Sequence, residues 1–192
     1  MKVTNEWNRL DNIIASIRYS KVKKYIPFDG IIVDIGCGQK GDFLMRSKKK
    51  IRKGYGIDLK IDNKTIDNIE FINNVDMKKF PIKKESIDVV FLNAVLEHLH
   101  DPRKILKDCL KLLKPNGLIV LTTPAPCSKP LLEFMAYKLH IINELEIQDH
   151  VHYYSKKDIK KLVKKLSNKA TLIKYRKFEL GLNSIIVIKK NA

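Results

Sequence analysis

The chain has 192 residues, 44% hydrophobic and 31% charged, which suits one globular domain with a buried core rather than a disordered chain. No apolar stretch approaches the roughly 18–20 residues of a membrane helix. The opening Met1–Trp7 lacks the apolar block of a secretory signal, so a cytoplasmic protein is expected. The net charge of +17 comes from 32 lysines and only six arginines, beside 25 isoleucines and 13 asparagines. That mixture reads as solvated lysine from A/T-rich codons more than as an arginine-lined phosphate groove.

Trp7, Leu10, Ile14 and Ile17 recur at helical spacing and predict an N-terminal helix near 5–24, followed by punctuation at Pro27 and Gly30. Ile31–Ile35 is an apolar run without alternation, as in a strand covered on both faces. A helix is expected from Gln39 to Lys50, then strand ends at Tyr55–Asp58 and Ile69–Ile72, and strands at Ile87–Leu92 and Leu118–Leu121. Before the last of these, Ile105, Leu106, Leu110 and Leu113 mark a helix that Pro115-Asn116-Gly117 terminates. Ser155-Lys156-Lys157-Asp158 is a capping box in front of Ile159, Leu162, Val163 and Leu166. Thr171–Lys177 and Ser184–Lys189 are separated only by a turn near Gly181, too short for a helical crossover, so they pair antiparallel. Strands alternating with helices predict an α/β domain, Rossmann-like and doubly wound, with a seven-stranded, mostly parallel sheet and an antiparallel last strand. The cysteines Cys37, Cys109 and Cys127 are odd in number and form no CxxC pair, so neither a disulfide framework nor a zinc knuckle is indicated.

Gly36-Cys37-Gly38-Gln39-Lys40-Gly41 follows a strand and opens a helix. Glycines there let a ligand lie against the backbone, and Asp58, about 20 residues on after the second strand, can accept both hydroxyls of a ribose. The pattern predicts a nucleoside ligand.

The residues around this loop resemble the class I S-adenosylmethionine-dependent methyltransferases, in their small-molecule, type 11-like branch. Val33-Asp34-Ile35-Gly36-Cys37-Gly38 resembles the first motif of that family, and Gly56-Ile57-Asp58 its second. Asn74-Val75-Asp76-Met77 with Phe80-Pro81 is similar to the third. Ser86–Asn93 through Glu97-His98-Leu99-His100-Asp101-Pro102 resembles the fourth strand and following helix, and Leu113–Leu118 the turn into the fifth. The resemblance covers roughly residues 30–124 and departs from the family pattern where the third glycine is displaced by one, to Gly41. It implies S-adenosylmethionine as cofactor and S-adenosylhomocysteine as product. Asp34, Gly36, Cys37, Gly38, Asp58, Leu59, Asp76, Met77 and Asn93 would line the cofactor, with Asp58 on the ribose and Asp76 on the adenine amino group.

A sulfonium leaving group is already activated, so in-line alignment can supply much of the rate, up to about 7–11 kcal/mol. This fits a sequence without an evident catalytic triad. His98, His150, His152 and Tyr154 are the candidates for acid–base work, because imidazole titrates near neutrality. Glu97 and His98 can equally orient their loop through hydrogen bonds. Period-two alternation through His150–Tyr154 predicts that His150, His152 and Tyr154 point together. Glu97-His98 also resembles part of a Glu-x-x-Glu-His metal site of certain methyltransferases, which His150 or His152 could complete. Ala94 replaces its first glutamate, so no metal is expected. Residues 128–154 are expected to form an acceptor insertion, with Leu131, Leu132, Phe134, Met135 and Leu139 as a lid, a core or a dimer face.

The leading expectation is one domain over 1–192 that methylates a small molecule, at oxygen. Methylation of RNA through Lys48–Lys53 and Lys156–Lys165 is less favoured, because no stacking aromatics are interleaved with either run. A cofactor-binding subunit without catalysis is the third reading. Nothing in the sequence selects an oligomeric state.

Overall fold

The computed structural model describes residues 9–74, 81–140, 142, 144–166 and 168–192. Helix α1 (Arg9–Val22) runs into a 3-10 turn, Lys23–Tyr25, and the chain then enters β1 (Ile31–Ile35). Next come α2 (Asp42–Ser47), β2 (Lys53–Asp58), β3 (Lys64–Ile66), β4 (Ile69–Asn73) and β5 (Ile87–Asn93). The second half carries α3 (Pro102–Leu112), β6 (Leu113–Pro124), α4 (Lys129–Tyr137), α5 (Glu144–Gln148), α6 (Lys156–Lys164), β7 (Ala170–Phe178) and β8 (Asn183–Lys190). The strands form one sheet in the order β3-β4-β2-β1-β5-β6-β8-β7.

β4, β2, β1, β5 and β6 are mutually parallel, and β8 inserts antiparallel between β6 and β7. The sheet has eight strands where seven were expected. The extra one, β3, pairs antiparallel with β4 across the turn at Asp67-Asn68, and Asp67 takes a positive φ of 53° there. Two apolar layers cover the sheet. Leu106, Leu110, Ile159 and Val163 of α3 and α6 pack with Val33, Val90 and Leu121 on one face. Val22 and Leu44 of α1 and α2 pack with Ile32, Phe91 and Val187 on the other.

Two helix boundaries differ from the sequence expectation. α2 has six residues, not the twelve from Gln39 to Lys50. At its end the Asn68 amide donates to the carbonyls of Lys48 and Ile51, which offers the backbone a non-helical partner. Leu113 does not belong to α3: it opens β6, opposite Ile87, and is fully buried. Lys114–Gly117 then bulge out before Leu118 resumes the ladder opposite Val89, and the Lys114 ammonium is held by Asp88 at 2.6 Å. The capping box at Ser155 and Asp158 forms as read.

Candidate functional site

The loop after β1 owes its shape to two glycines. Gly36 has φ +72°, and a Cβ there would lie 2.4 Å from the Val95 Cγ2 methyl. Gly38 has φ +70°, but the space a Cβ would take is open. The two therefore separate by experiment. Gly36→Ala is expected to cost roughly 2 kcal/mol or more, from left-handed backbone and steric overlap together. Gly38→Ala is expected to carry only the backbone share, about 1–2 kcal/mol, while placing a methyl where a ligand would approach. Thermal melts beside ligand titration will check both.

Asp58 ends β2 and ties the loop down. Its Oδ2 accepts the Gly38 N–H at 2.9 Å and its Oδ1 the Lys60 N–H at 2.8 Å. Each carboxylate oxygen keeps a second lone pair for a ligand. Leu59 beside it is exposed. Asp34 is buried at the core of β1, and the Asn93 amide donates to it at 3.3 Å. Burial pushes the Asp34 carboxyl up to about 8; the Asn93 bond opposes this and the nearby Asp58 charge adds to it. Burial also raises the Cys37 thiol, so it is an apolar wall here and not a nucleophile. Asp76 and Met77 lie outside the described residues.

Beyond β5 the backbone turns sharply. Ala94 has φ +54°, and its N–H donates to the Thr122 carbonyl at 3.0 Å. A 3-10 turn, Leu96–His98, then buries Glu97 to 1% exposure. Burial pushes the Glu97 carboxyl up to about 7, against the pull of its own backbone amide, of the Arg18 charge and of the Thr123 hydroxyl. Asn93 Oδ1, Glu97 Oε2, Thr123 Oγ1 of β6 and Arg18 Nε of α1 are buried without a hydrogen bond of good geometry among the described residues, although Thr123 lies close enough to Glu97 to draw its carboxyl down. Buried polar groups are normally satisfied, so a cluster of unsatisfied ones marks a place for a ligand. Sequence reasoning missed Arg18 and Thr123. The one signal for Arg18 was that arginine is scarce in this lysine-rich chain.

The histidines do not group as alternation predicts. The Val151 and His152 N–H groups both donate to the Glu97 carbonyl, at 2.8 and 3.2 Å. Successive amides of a strand point to opposite sides, so this segment is not extended and the period of two does not apply. His150 instead meets His98, with ring centroids 4.8 Å apart, and its Nδ1 lies 2.9 Å from the Tyr153 hydroxyl. His152 packs on Tyr154, and Tyr154 is buried at 6% exposure in the core layer beneath α6. Burial and the neighbouring His98 push the His150 imidazole down to about 4, so it is neutral at pH 7. Burial raises the Tyr153 phenol to about 12. Glu97, His98 and His150 bring one carboxylate and two imidazoles together, with ligand-capable atoms all within 4.8 Å of one another.

On the acceptor side, Leu131, Phe134 and Leu139 are exposed, while Leu132 and Met135 are half-buried. No helix among the described residues is long and apolar enough to cross a membrane.

The chain is similar to the ubiquinone biosynthesis O-methyltransferase of Caulobacter vibrioides, 34% identical over 110 residues that cover 50% of this chain and 42% of that protein. It is 25% identical to the demethylmenaquinone methyltransferase of Staphylococcus epidermidis, over 96% of this chain and 83% of that one. The chain thus spans well under half the length of the first relative. Its fold superposes on the chain solved together with the Trm112 methyltransferase activator of Haloferax volcanii, with a TM-score of 0.68 and 13% identity, covering 98% of this chain and 100% of that one. The model of a family described as a methyltransferase domain matches residues 13–166. The chain belongs to that family, among the class I S-adenosylmethionine-dependent methyltransferases.

Proposed function

We propose that the protein moves a methyl group from S-adenosylmethionine to a small-molecule acceptor, at oxygen, by in-line displacement. The observation that carries this reading is the position of the unsatisfied polar cluster. Asn93, Glu97 and Thr123 lie at or just beyond the carboxyl ends of β5 and β6, the edge where open α/β sheets bind ligands, with the Arg18 charge of α1 in reach of Glu97. The cofactor supplies a methyl already activated on a sulfonium. Asp58 would hold the ribose hydroxyls, and Asp34 with Asn93 the α-ammonium. His98 is the group we assign as base toward the acceptor hydroxyl, with neutral His150 and Tyr153 fixing its ring. The segment over 128–154 forms the acceptor wall, and the exposed Leu131 and Phe134 support a role as lid.

The test is transfer of radiolabelled methyl into a cell extract fractionated into small molecules, RNA and protein. Label in the small-molecule fraction is expected. Label in RNA would favour the second reading, and no label at all would favour a non-catalytic subunit. The relative described as a ubiquinone biosynthesis O-methyltransferase supports oxygen as the atom methylated. The reaction belongs in the cytoplasm, where the methyl donor is made.

A proton should move when the cofactor binds. Free Asp34 is mostly protonated at pH 7, because its pKa lies near 8. A neighbouring ammonium favours the carboxylate, so S-adenosylhomocysteine binding releases a proton at pH 7 and tightens as pH rises through 8. Calorimetry at pH 7 in buffers of different ionisation enthalpy is expected to show this release, and Asp34→Asn to abolish it.

We also hold that the reaction needs no metal. Ala94 removes a carboxylate donor, and Tyr153 already engages His150 Nδ1. Turnover unchanged by EDTA is the expected result. Loss restored by a divalent cation would assign Glu97, His98 and His150 as its ligands instead.

A further inference from the structure

The large apolar side chains that the fold leaves in water gather at one end of the sheet. Among the described residues, all of them but Phe28 and Ile173 belong to segments at its carboxyl edge, where the cleft opens. Leu131 and Phe134 sit on α4, and Leu139 follows it. This helix stands over the histidines, because its Lys129 ammonium lies 6.0 Å from the centre of the Tyr153 ring, and Tyr153 engages His150. Val151 is at the doorway itself, with its amide on the Glu97 carbonyl. Ile13 precedes Arg18 on α1, a helix that descends from the Glu97 side toward the amino edge, where β1 begins.

Leu180 is held at the same edge under strain. It tops the turn between β7 and β8, beside the end of β6, since Phe178 and Pro124 both pair with Asn183. Its side chain is fully exposed, and its φ of +54° follows the +51° of Glu179. Left-handed backbone is costly for both residue types, so the turn holds an apolar side chain outward against that cost.

Shape and charge identify what covers this rim. Its side chains come from separate segments and form a broken collar, which a fluid surface can follow where a rigid one needs close complementarity. The chain carries a net charge of +17, so two copies repel each other while an anionic surface attracts. That attraction acts in every orientation, because lysines are spread along the whole chain. The apolar rim then decides which face goes down. On α4 and α5, Glu133 faces Lys129 and Glu144 faces the His140 imidazole, which tempers their repulsion of anionic headgroups.

We propose that the carboxyl rim docks on an anionic lipid bilayer, with Leu131, Phe134, Leu139 and Leu180 in the headgroup layer, and that the acceptor is a lipid whose hydroxyl enters the cleft from that surface. The naming of the acceptor rests on the methyl-transfer reading; the docking does not.

The test is co-sedimentation of the full chain with vesicles of equal parts phosphatidylglycerol and phosphatidylcholine, or of phosphatidylcholine alone. Binding to the anionic vesicles is expected, with a fraction that persists in about 0.5 M salt, where charge attraction is screened and apolar insertion is not. Phe134→Asp should raise the half-binding lipid concentration about tenfold or more, and Leu180→Asp should repeat the loss from a separate segment. Phe28→Asp makes the same change as Phe134→Asp at the amino edge and should shift it by less than about twofold. No binding, equal shifts for Phe134→Asp and Phe28→Asp, or binding wholly abolished by salt overturns the docking. A wild-type dimer that Phe134→Asp converts to monomer in ultracentrifugation gives the face to a second copy and overturns it too. For the acceptor, the labelled small-molecule fraction is partitioned between chloroform and water. Label in chloroform is expected, and label confined to water overturns the lipid acceptor. Vesicle binding requires neither cofactor nor turnover, so its failure is distinct from a failure of the methyl-transfer reading.

Discussion

Asp58→Ala is expected to weaken S-adenosylhomocysteine binding roughly 10- to 150-fold, the equivalent of about 1.5–3 kcal/mol for hydrogen bonds to a charged group. The loss has two sources that can be told apart. One is direct, through the ribose hydroxyls. The other is indirect, because the same carboxylate holds the Gly38 and Lys60 amides and so fixes the loop. Asp58→Asn keeps an acceptor oxygen for one of these amides but loses the charge. It should retain most of the thermal stability and still lose most of the affinity. Calorimetric titration and melting curves on the two variants make the comparison. Wild-type affinity in Asp58→Ala would put the nucleoside elsewhere.

The second large effect concerns Arg18. The cleft gathers acids (Asp34, Asp58 and Glu97), yet an amino-acid carboxylate on the cofactor needs a cation. Arg18 of α1 lies within electrostatic reach of Glu97 on the β5 side, and its Nε is buried without a hydrogen-bond partner among the described residues. Arg18→Met is therefore expected to weaken S-adenosylhomocysteine tenfold or more. It should leave 5′-methylthioadenosine, which lacks the amino-acid end, within about twofold of wild type. Arg18→Lys should recover part of the loss. Equal losses for both ligands would show that Arg18 acts only on the fold.

The difference between these two residues shows what the sequence can carry. Asp58 was legible because its role follows from chain order: a glycine loop after one strand fixes where the end of the next must come. The parallel core was legible for the same reason, through apolar runs at β1 and β5 and through the capping box of α6. Arg18 was not, because a helix preceding the sheet can dock at many angles and its periodicity names only the buried face. β3 went unread because three residues are too few to show alternation, although Asp67-Asn68 is a hairpin signal. Leu113 fits both periods, helical from Leu106 and Leu110 and extended into Leu118, and sheet pairing decided between them. His150, His152 and Tyr154 were grouped by a rule for strands in a segment whose amides converge on one carbonyl.

That shared carbonyl also sets an order of events. The peptide unit of Glu97 grows directly out of the strand bearing Asn93, so whatever steadies the floor of the cleft steadies its doorway. Donor first, acceptor second is the sequence of arrival this hinge-like fastening favours, with the Val151 and His152 amides gaining protection from solvent deuterium once the nucleoside has docked.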